Sequence, residues 1–224
     1  MLGTSDNEGN DFSGCTLITS IKVSSNTHKI PLYCFQDCTN LSSITGLSGV
    51  TTLSADAFKN CSSLTTLTGL SNVTSVGSEC FNGCTSLTAV DIDWSNIVGH
   101  TIPNSCFKSC TSLRQLDITG VTQIDKEAFR ACSNLTTLTG ISGITSIGAS
   151  AFEGCTNLAS TFDFANTTTI QDSAFRNCKN CTFTNLDKVS NFGTTAFGGT
   201  NIPTSVQFKD GVSIGMQSFE NSNV

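Results

Sequence analysis

The sequence predicts a repeat solenoid, and three observations carry the prediction. A phenylalanine returns at Phe12, Phe35, Phe58, Phe81, Phe107, Phe129, Phe152, Phe175, Phe197 and Phe219, at intervals of 23, 23, 23, 26, 22, 23, 23, 22 and 22 residues. Three residues after the first eight stand Cys15, Cys38, Cys61, Cys84, Cys110, Cys132, Cys155 and Cys178, and six after the first seven come Ile18, Leu41, Leu64, Leu87, Leu113, Leu135 and Leu158. The residue just before the Phe is small (Cys34, Ala57, Cys80, Cys106, Ala128, Ala151, Ala174, Ala196 or Ser218). A fixed period of about 20 to 50 residues means stacked structural units, each too small to bury its own apolar face.

Taken in order, residues 1–10 are polar, with Asp6 and Glu8, and read as a flexible tail. Residues 11–224 read as one solenoid of about nine to ten units. Within a unit, Leu64-Thr-Thr-Leu67-Thr has the β-branched alternation of a short strand, which Gly69 ends. Val73 and Val76 follow in an extended return segment. Ser54-Ala55-Asp56-Ala57-Phe58 reads as a single helical turn that points Ala57, Phe58 and Cys61 inward. Stacking the units pairs the strands in parallel and lines up the Phe rings as an internal spine. The 26-residue interval carries about three extra residues around Asp91-Ile-Asp93-Trp94-Ser-Asn-Ile-Val-Gly99-His100. The unit after Phe152 moves an aromatic pair to Phe162 and Phe164, and the last two units replace the Cys with Thr200 and Ser222. Ending at Val224, five residues past the final Phe and without a polar cap, the chain reads as a fragment of a larger protein or as a solenoid with an exposed end.

Composition narrows the function. Of the 224 residues 38% are hydrophobic and only 12% charged, with a net charge of −6. The 11 Lys and Arg are scattered along the sequence, which argues against nucleic acid, because phosphate binding works by releasing counterions with clustered basic side chains. No run is apolar enough to insert in a bilayer, and residues 1–10 lack the basic start and apolar middle of a secretory signal. The 12 cysteines occupy repeat-core positions, where Ala or Thr stands in other units, and a buried free Cys behaves as a small hydrophobe. Disulfides or metal are the alternative. The pairs Cys80/Cys84 and Cys106/Cys110 would have to converge for zinc, yet Cys61 and Cys132 flank them singly and continue the ladder.

The phrase Ile144-Thr-Ser-Ile147-Gly-Ala-Ser-Ala151-Phe152-Glu-Gly-Cys155-Thr-Asn-Leu158 resembles the BspA-like leucine-rich repeat, and the resemblance runs from residue 12 to about 220. One departure is systematic: where that family usually has Ile-Pro after the strand, this chain has Gly46-Leu47, Gly69-Leu70 and Gly140-Ile141. The resemblance implies a right-handed leucine-rich-repeat solenoid with a parallel β-sheet on its concave side and short helical turns and extended segments on the other. It also implies an extracellular or cell-surface protein that binds a protein or glycan partner, with no shared catalytic residue and no cofactor.

Nothing in the chain reads as an enzyme. It has no zinc-protease helix, phosphate loop, nucleophile elbow or calcium loop. His28 and His100 share one repeat position, in the phrase His-x-Ile-Pro, which favours a structural role over a general base. The Asn-x-Ser/Thr sites at Asn40, Asn60, Asn72, Asn134, Asn166 and Asn180 are matches of the kind chance supplies in so Asn-, Ser- and Thr-rich a chain. The candidate binding residues are Asp91, Asp93, Trp94, Arg114, Gln115 and Asp117. Asp91, Gln115 and Asp117 stand at outward strand positions that other units fill mostly with hydroxyls, and Trp94 is the chain's one Trp. Trp and Arg are the residue types most enriched at binding hot spots, although Trp94 is equally suited to packing the insertion. The alternative to a surface adhesin is an intracellular interaction scaffold, which twelve reduced thiols would suit. Ligand identity and oligomeric state stay open.

Overall fold

The computed structural model describes residues 12–203 and 205–222, so the expected tail over residues 1–10 lies outside the described part. The chain forms a parallel-strand solenoid of about nine turns, with almost no helix. Two strand series alternate along it. One is β1 (Ser20–Lys22), β3 (Ser43–Thr45), β5 (Thr66–Leu67), β7 (Ala89–Val90), β9 (Gln115–Asp117), β11 (Thr137–Thr139), β13 (Thr161–Asp163) and β15 (Thr182–Thr184). The other is β2 (Lys29–Ile30), β4 (Thr52–Leu53), β6 (Ser75–Val76), β8 (Thr101–Ile102), β10 (Gln123–Ile124), β12 (Ser146–Ile147), β14 (Thr169–Ile170), β16 (Asn191–Phe192) and β17 (Ser213–Ile214).

The expected strand after the repeat Leu is present, but it is not the more continuous sheet. The first series pairs only two by two, as β1–β3, β5–β7, β9–β11 and β13–β15. The return segments make the longer ladders: β2–β4–β6, then β8–β10–β12–β14–β16–β17. Every pairing is parallel and in register, as in Ile124 opposite Ile147 and Leu116 opposite Leu138.

The spine is continuous. Rings from Phe12 to Phe219 stack with centroids 5.3–5.7 Å apart and interplanar angles of 1–18°. The spacing exceeds the ~4.8 Å strand repeat, so successive rings stack offset rather than face to face. Beside them runs a thiol ladder. Cys61 Sγ donates to Phe35 O at 3.0 Å, and Cys84, Cys110, Cys132, Cys155 and Cys178 repeat the contact to the Phe of the turn before at 3.0–3.1 Å. The same carbonyl also accepts the backbone N–H of its own turn's Cys, as Cys61 N to Phe58 O at 3.1 Å. The cysteine is therefore more than a small hydrophobe. It satisfies the second lone pair of a buried carbonyl, and all twelve cysteines are free.

The expected helical turn at Ser54–Phe58 is absent. Asp56 and Asn60 have φ of 55° and 60°, and the two positions flanking each Phe are left-handed in every unit, from Tyr33 and Asp37 to Gln217 and Asn221. Consecutive tight turns, not a helix, bring Ala57, Phe58 and Cys61 inward, all fully buried. Short 3-10 helices stand elsewhere, after the strand, at Leu47–Gly49, Trp94–Asn96, Ile141–Gly143 and Leu186–Lys188. At Gly46-Leu47 and Gly140-Ile141 the departure from Ile-Pro falls at the start of such a helix. Gly46 starts its helix at φ 83°, and a Cβ on it would lie 2.2 Å from Val23 O.

The basic residues, scattered in sequence, are partly gathered by the stacking. Lys108, Glu127, Arg130, Glu153 and Arg176 form one chain of ion pairs at 2.5–3.5 Å along the turn edge, and Lys59 joins Asp56 to Glu79 two turns earlier.

Candidate functional site

The three-residue insertion breaks the return ladder at a level where the first strand series is also unpaired, and leaves the interior intact. The longer return ladder restarts at β8 after β6, and β7 and β9 are not paired. Phe81 and Phe107 still stack at 5.3 Å, and Cys110 still reaches Phe81 O. Val98 N–H donates to Thr74 O at 2.9 Å, among the described residues the only backbone link of the return series across the break. Where β7 and β9 part, an open cleft of about 610 Å³ forms in the strand face.

Five of the six predicted residues line this cleft: Asp91, Asp93, Trp94, Gln115 and Asp117. Their partners show what holds each in place. Asp91 accepts from Gly69 N at 2.7 Å and Leu70 N at 2.8 Å, tying its own turn to the one before. Asp93 caps the 3-10 helix at Trp94–Asn96, accepting from Ser95 N, Ser95 Oγ and Asn96 Nδ2 at 2.6–3.2 Å. Asp117 accepts from Thr119 N at 3.0 Å and Thr119 Oγ1 at 2.7 Å. The Thr119 hydroxyl and amide hold the Asp117 carboxyl below the usual carboxylate range, so it is anionic at neutral pH. An ionised carboxylate has about four acceptor sites, so each acid keeps capacity for a ligand after its turn is satisfied.

Two of the six sit differently from the rest. Trp94 is 1% exposed and packs edge-on against Phe107 at 5.9 Å, with its Nε1 buried and unpartnered. It anchors the insertion in the core, the packing role that its sequence position equally allowed. Arg114 does not line the cleft; its carbonyl accepts from Thr136 N at 2.8 Å in the β9–β11 ladder.

The residues that sequence reasoning left out of the site are Ala89, Val90, Ile92 and Leu116, with Thr119, Thr137 and Thr139. Thr139 sits opposite Asp117 in register, so the alternation of the strand already marked it as outward. Asp117-Ile-Thr119 is itself a signal, an acid bonding the backbone two residues on. The arrangement offers carboxylates and hydroxyls around a partly apolar base, which suits a ligand rich in hydrogen-bond donors.

The two histidines do the same backbone work, as their shared position implied. His28 O and His100 O each accept two N–H groups of the next turn, and His28 Nδ1 lies 3.0 Å from Gly49 O. Among the described residues no three His, Cys, Asp or Glu side chains gather around a point that would hold a metal, and no helix is long and apolar enough to cross a membrane.

The model of the BspA type leucine rich repeat region matches residues 8–98 and 100–224, in six copies. The chain belongs to the BspA-type leucine-rich repeat family. Its fold is similar to that of the T. pallidum leucine-rich repeat protein, with a TM-score of 0.61 at 25% identity over 67% of this chain and 69% of that one. A leucine-rich cell surface protein from Faecalibacterium prausnitzii gives a TM-score of 0.64 at 22% identity, over 88% of this chain and 64% of that one. A leucine-rich repeat protein from Bacteroides ovatus gives 0.54 at 22% identity, over 96% and 67%. This BspA-type chain thus spans 64–69% of the length of these three proteins. No curated protein matches it in sequence.

Proposed function

We propose that this BspA-type solenoid is a non-enzymatic recognition protein, displayed at a cell surface or secreted, that binds a protein or glycan partner. The observation that carries the reading is the cleft between β7 and β9, which gathers Asp91, Asp93, Gln115 and Asp117 at the level of the insertion. Solenoids generically offer extended binding surfaces of this kind. One of the similar structures is described as a cell surface protein, which supports the location. The alternative of an intracellular scaffold rests on the twelve free thiols, but eleven of them are buried, which shields them from oxidation in either compartment.

The test is a binding screen of the purified protein against matrix proteins, cell surfaces and glycans at physiological salt. A Gln115→Ala/Asp117→Asn variant is run beside it. Asn keeps the Oδ1 acceptor for Thr119, so the turn survives while the charge is removed. The expected result is capture of a partner by the wild type and at least a tenfold loss in the variant, about 1.4 kcal/mol, with unchanged melting. Binding equal in both proteins would move the site away from the cleft, and no binding by either would count for a scaffold.

A further inference from the structure

Six Asn-x-Ser/Thr tripeptides run through the chain, and in sequence nothing separates them. Glycan transfer to such a site needs two groups at once: the Asn amide nitrogen, which bonds the sugar, and the hydroxyl two residues on, which the transferring enzyme holds. The folded solenoid has taken both groups in five of the six. Asn40 Nδ2 donates to Thr16 O at 2.7 Å and Ser42 Oγ to Thr19 O at 3.1 Å. Asn60 Nδ2 donates to Asp37 Oδ1 at 2.7 Å and Ser62 Oγ to Thr39 O at 3.2 Å. Asn72 Nδ2 reaches Ser48 O at 3.0 Å and Thr74 Oγ1 reaches Thr51 O at 3.3 Å. Asn134 Nδ2 donates to Thr111 O at 2.7 Å and Thr136 Oγ1 to Arg114 O at 2.9 Å. Asn180 Nδ2 donates to Thr156 O at 3.0 Å, and Thr182 Oγ1 lies 2.6 Å from Thr161 Oγ1. Each pair clamps its turn to the turn before, and transfer of a sugar to such a site has to compete with both bonds of the clamp.

Asn166 is different. The difference is in bonding and not in exposure, since the other five asparagines are exposed too: neither the Asn166 nor the Thr168 side chain has a hydrogen bond among the described residues. Between them Thr167 is 1% exposed, with Oγ1 donating to Ile144 O at 3.0 Å and N–H donating to Phe164 O at 3.0 Å. A buried anchor thus presents the amide and the hydroxyl outward from the corner between β13 and β14. The geometry points to Asn166 as the N-glycan acceptor that the folded protein presents, with the other five closed by folding. In the transfer, the Asn166 Nδ2–C1 bond forms and the bond from C1 to the diphosphate of an isoprenoid-linked oligosaccharide breaks. The diphosphate leaves with the electron pair, and the amide gives up one proton.

The experiment offers purified folded protein, and separately six short peptides spanning the tripeptides, to an oligosaccharyltransferase with its isoprenoid diphosphate-linked oligosaccharide. Mass spectrometry of proteolytic fragments then places each glycan. The expected result is one glycan on the folded protein, at Asn166, with occupancy at the other five at least about tenfold lower although their peptides are accepted. Asn166→Gln should abolish the modification of the folded protein and leave its melting unchanged. Comparable occupancy at any other site of the folded protein would overturn the proposal. So would an unmodified Asn166 in the folded protein, or refusal of the Asn166 peptide.

Discussion

At the scale of single residues, the stack is built from contacts that each turn makes with both neighbours. Phe107 lies against Phe81 on one side, Phe129 on the other and the edge of Trp94. Its carbonyl takes the Cys132 thiol of the next turn at 3.0 Å and its own Cys110 N–H at 3.0 Å. Removing the ring opens a cavity in a position that cannot collapse, because the rings above and below are held by their own turns. Phe107→Ala should cost on the order of 3–5 kcal/mol in urea-induced unfolding; a midpoint equal to wild type would refute the spine. The acids of the cleft show a second rule at this scale. Asp91, Asp93 and Asp117 were singled out as candidate binding residues, yet each first serves the backbone of a turn.

At the scale of elements, the repeat unit is a set of corners more than a set of strands. The strands are two or three residues long, too short to be stable alone. What fixes them is the close approach of successive turns, and glycine marks where that approach is tightest. A Cβ on Gly148 would lie 2.4 Å from Lys126 N of the turn before. Gly148→Val should therefore destabilise the protein by about 1–3 kcal/mol through overpacking, although its φ is ordinary. Thermal unfolding measures this, and a stabilised variant would show that the approach is slack. The insertion obeys the same logic from the other side. Extra length is absorbed where strands pair, because the spine tolerates no change of spacing.

At the scale of the molecule, the continuous column of thiols gives the protein a predictable pH limit. Burial pushes the thiols of Cys61, Cys80, Cys84, Cys106, Cys110, Cys132, Cys155 and Cys178 well above their ordinary value of 9.0, Cys132 to about 12. The folded state keeps these protons while an unfolded chain loses them near 9.0, so above that pH the unfolded state binds fewer protons. The thiols' stabilising contribution is then present in full below pH 9 and is lost as pH rises toward the folded-state values. All eight shifts have the same sign, so their contributions to the pH dependence reinforce one another. Under reducing conditions the melting temperature should fall steeply between about pH 9 and pH 10. A flat profile over that interval would mean that the thiols are solvated in the folded state.

How much of this was legible in the sequence follows from what kind of interaction repeats. The period, the spine, the buried small residues and the family were all readable from the residues alone, because a stacked core demands an aromatic ring and a small residue at fixed spacing. The spacing also marked the level of the cleft, through a 26-residue interval among intervals of 22 and 23. The remaining features depend on how one turn lies on the next. The left-handed corners at Asp56 and Asn60 replaced an expected helical turn, since both conformations are compatible with the same short polar segment. Trp94 went inside and Arg114 out of the cleft, because a side chain's direction depends on how three inserted residues are folded away. The Cys–carbonyl bonds and the closure of five Asn-x-Ser/Thr sites join residues more than twenty positions apart. Such contacts exist only once one turn lies on the next, which no local pattern can express.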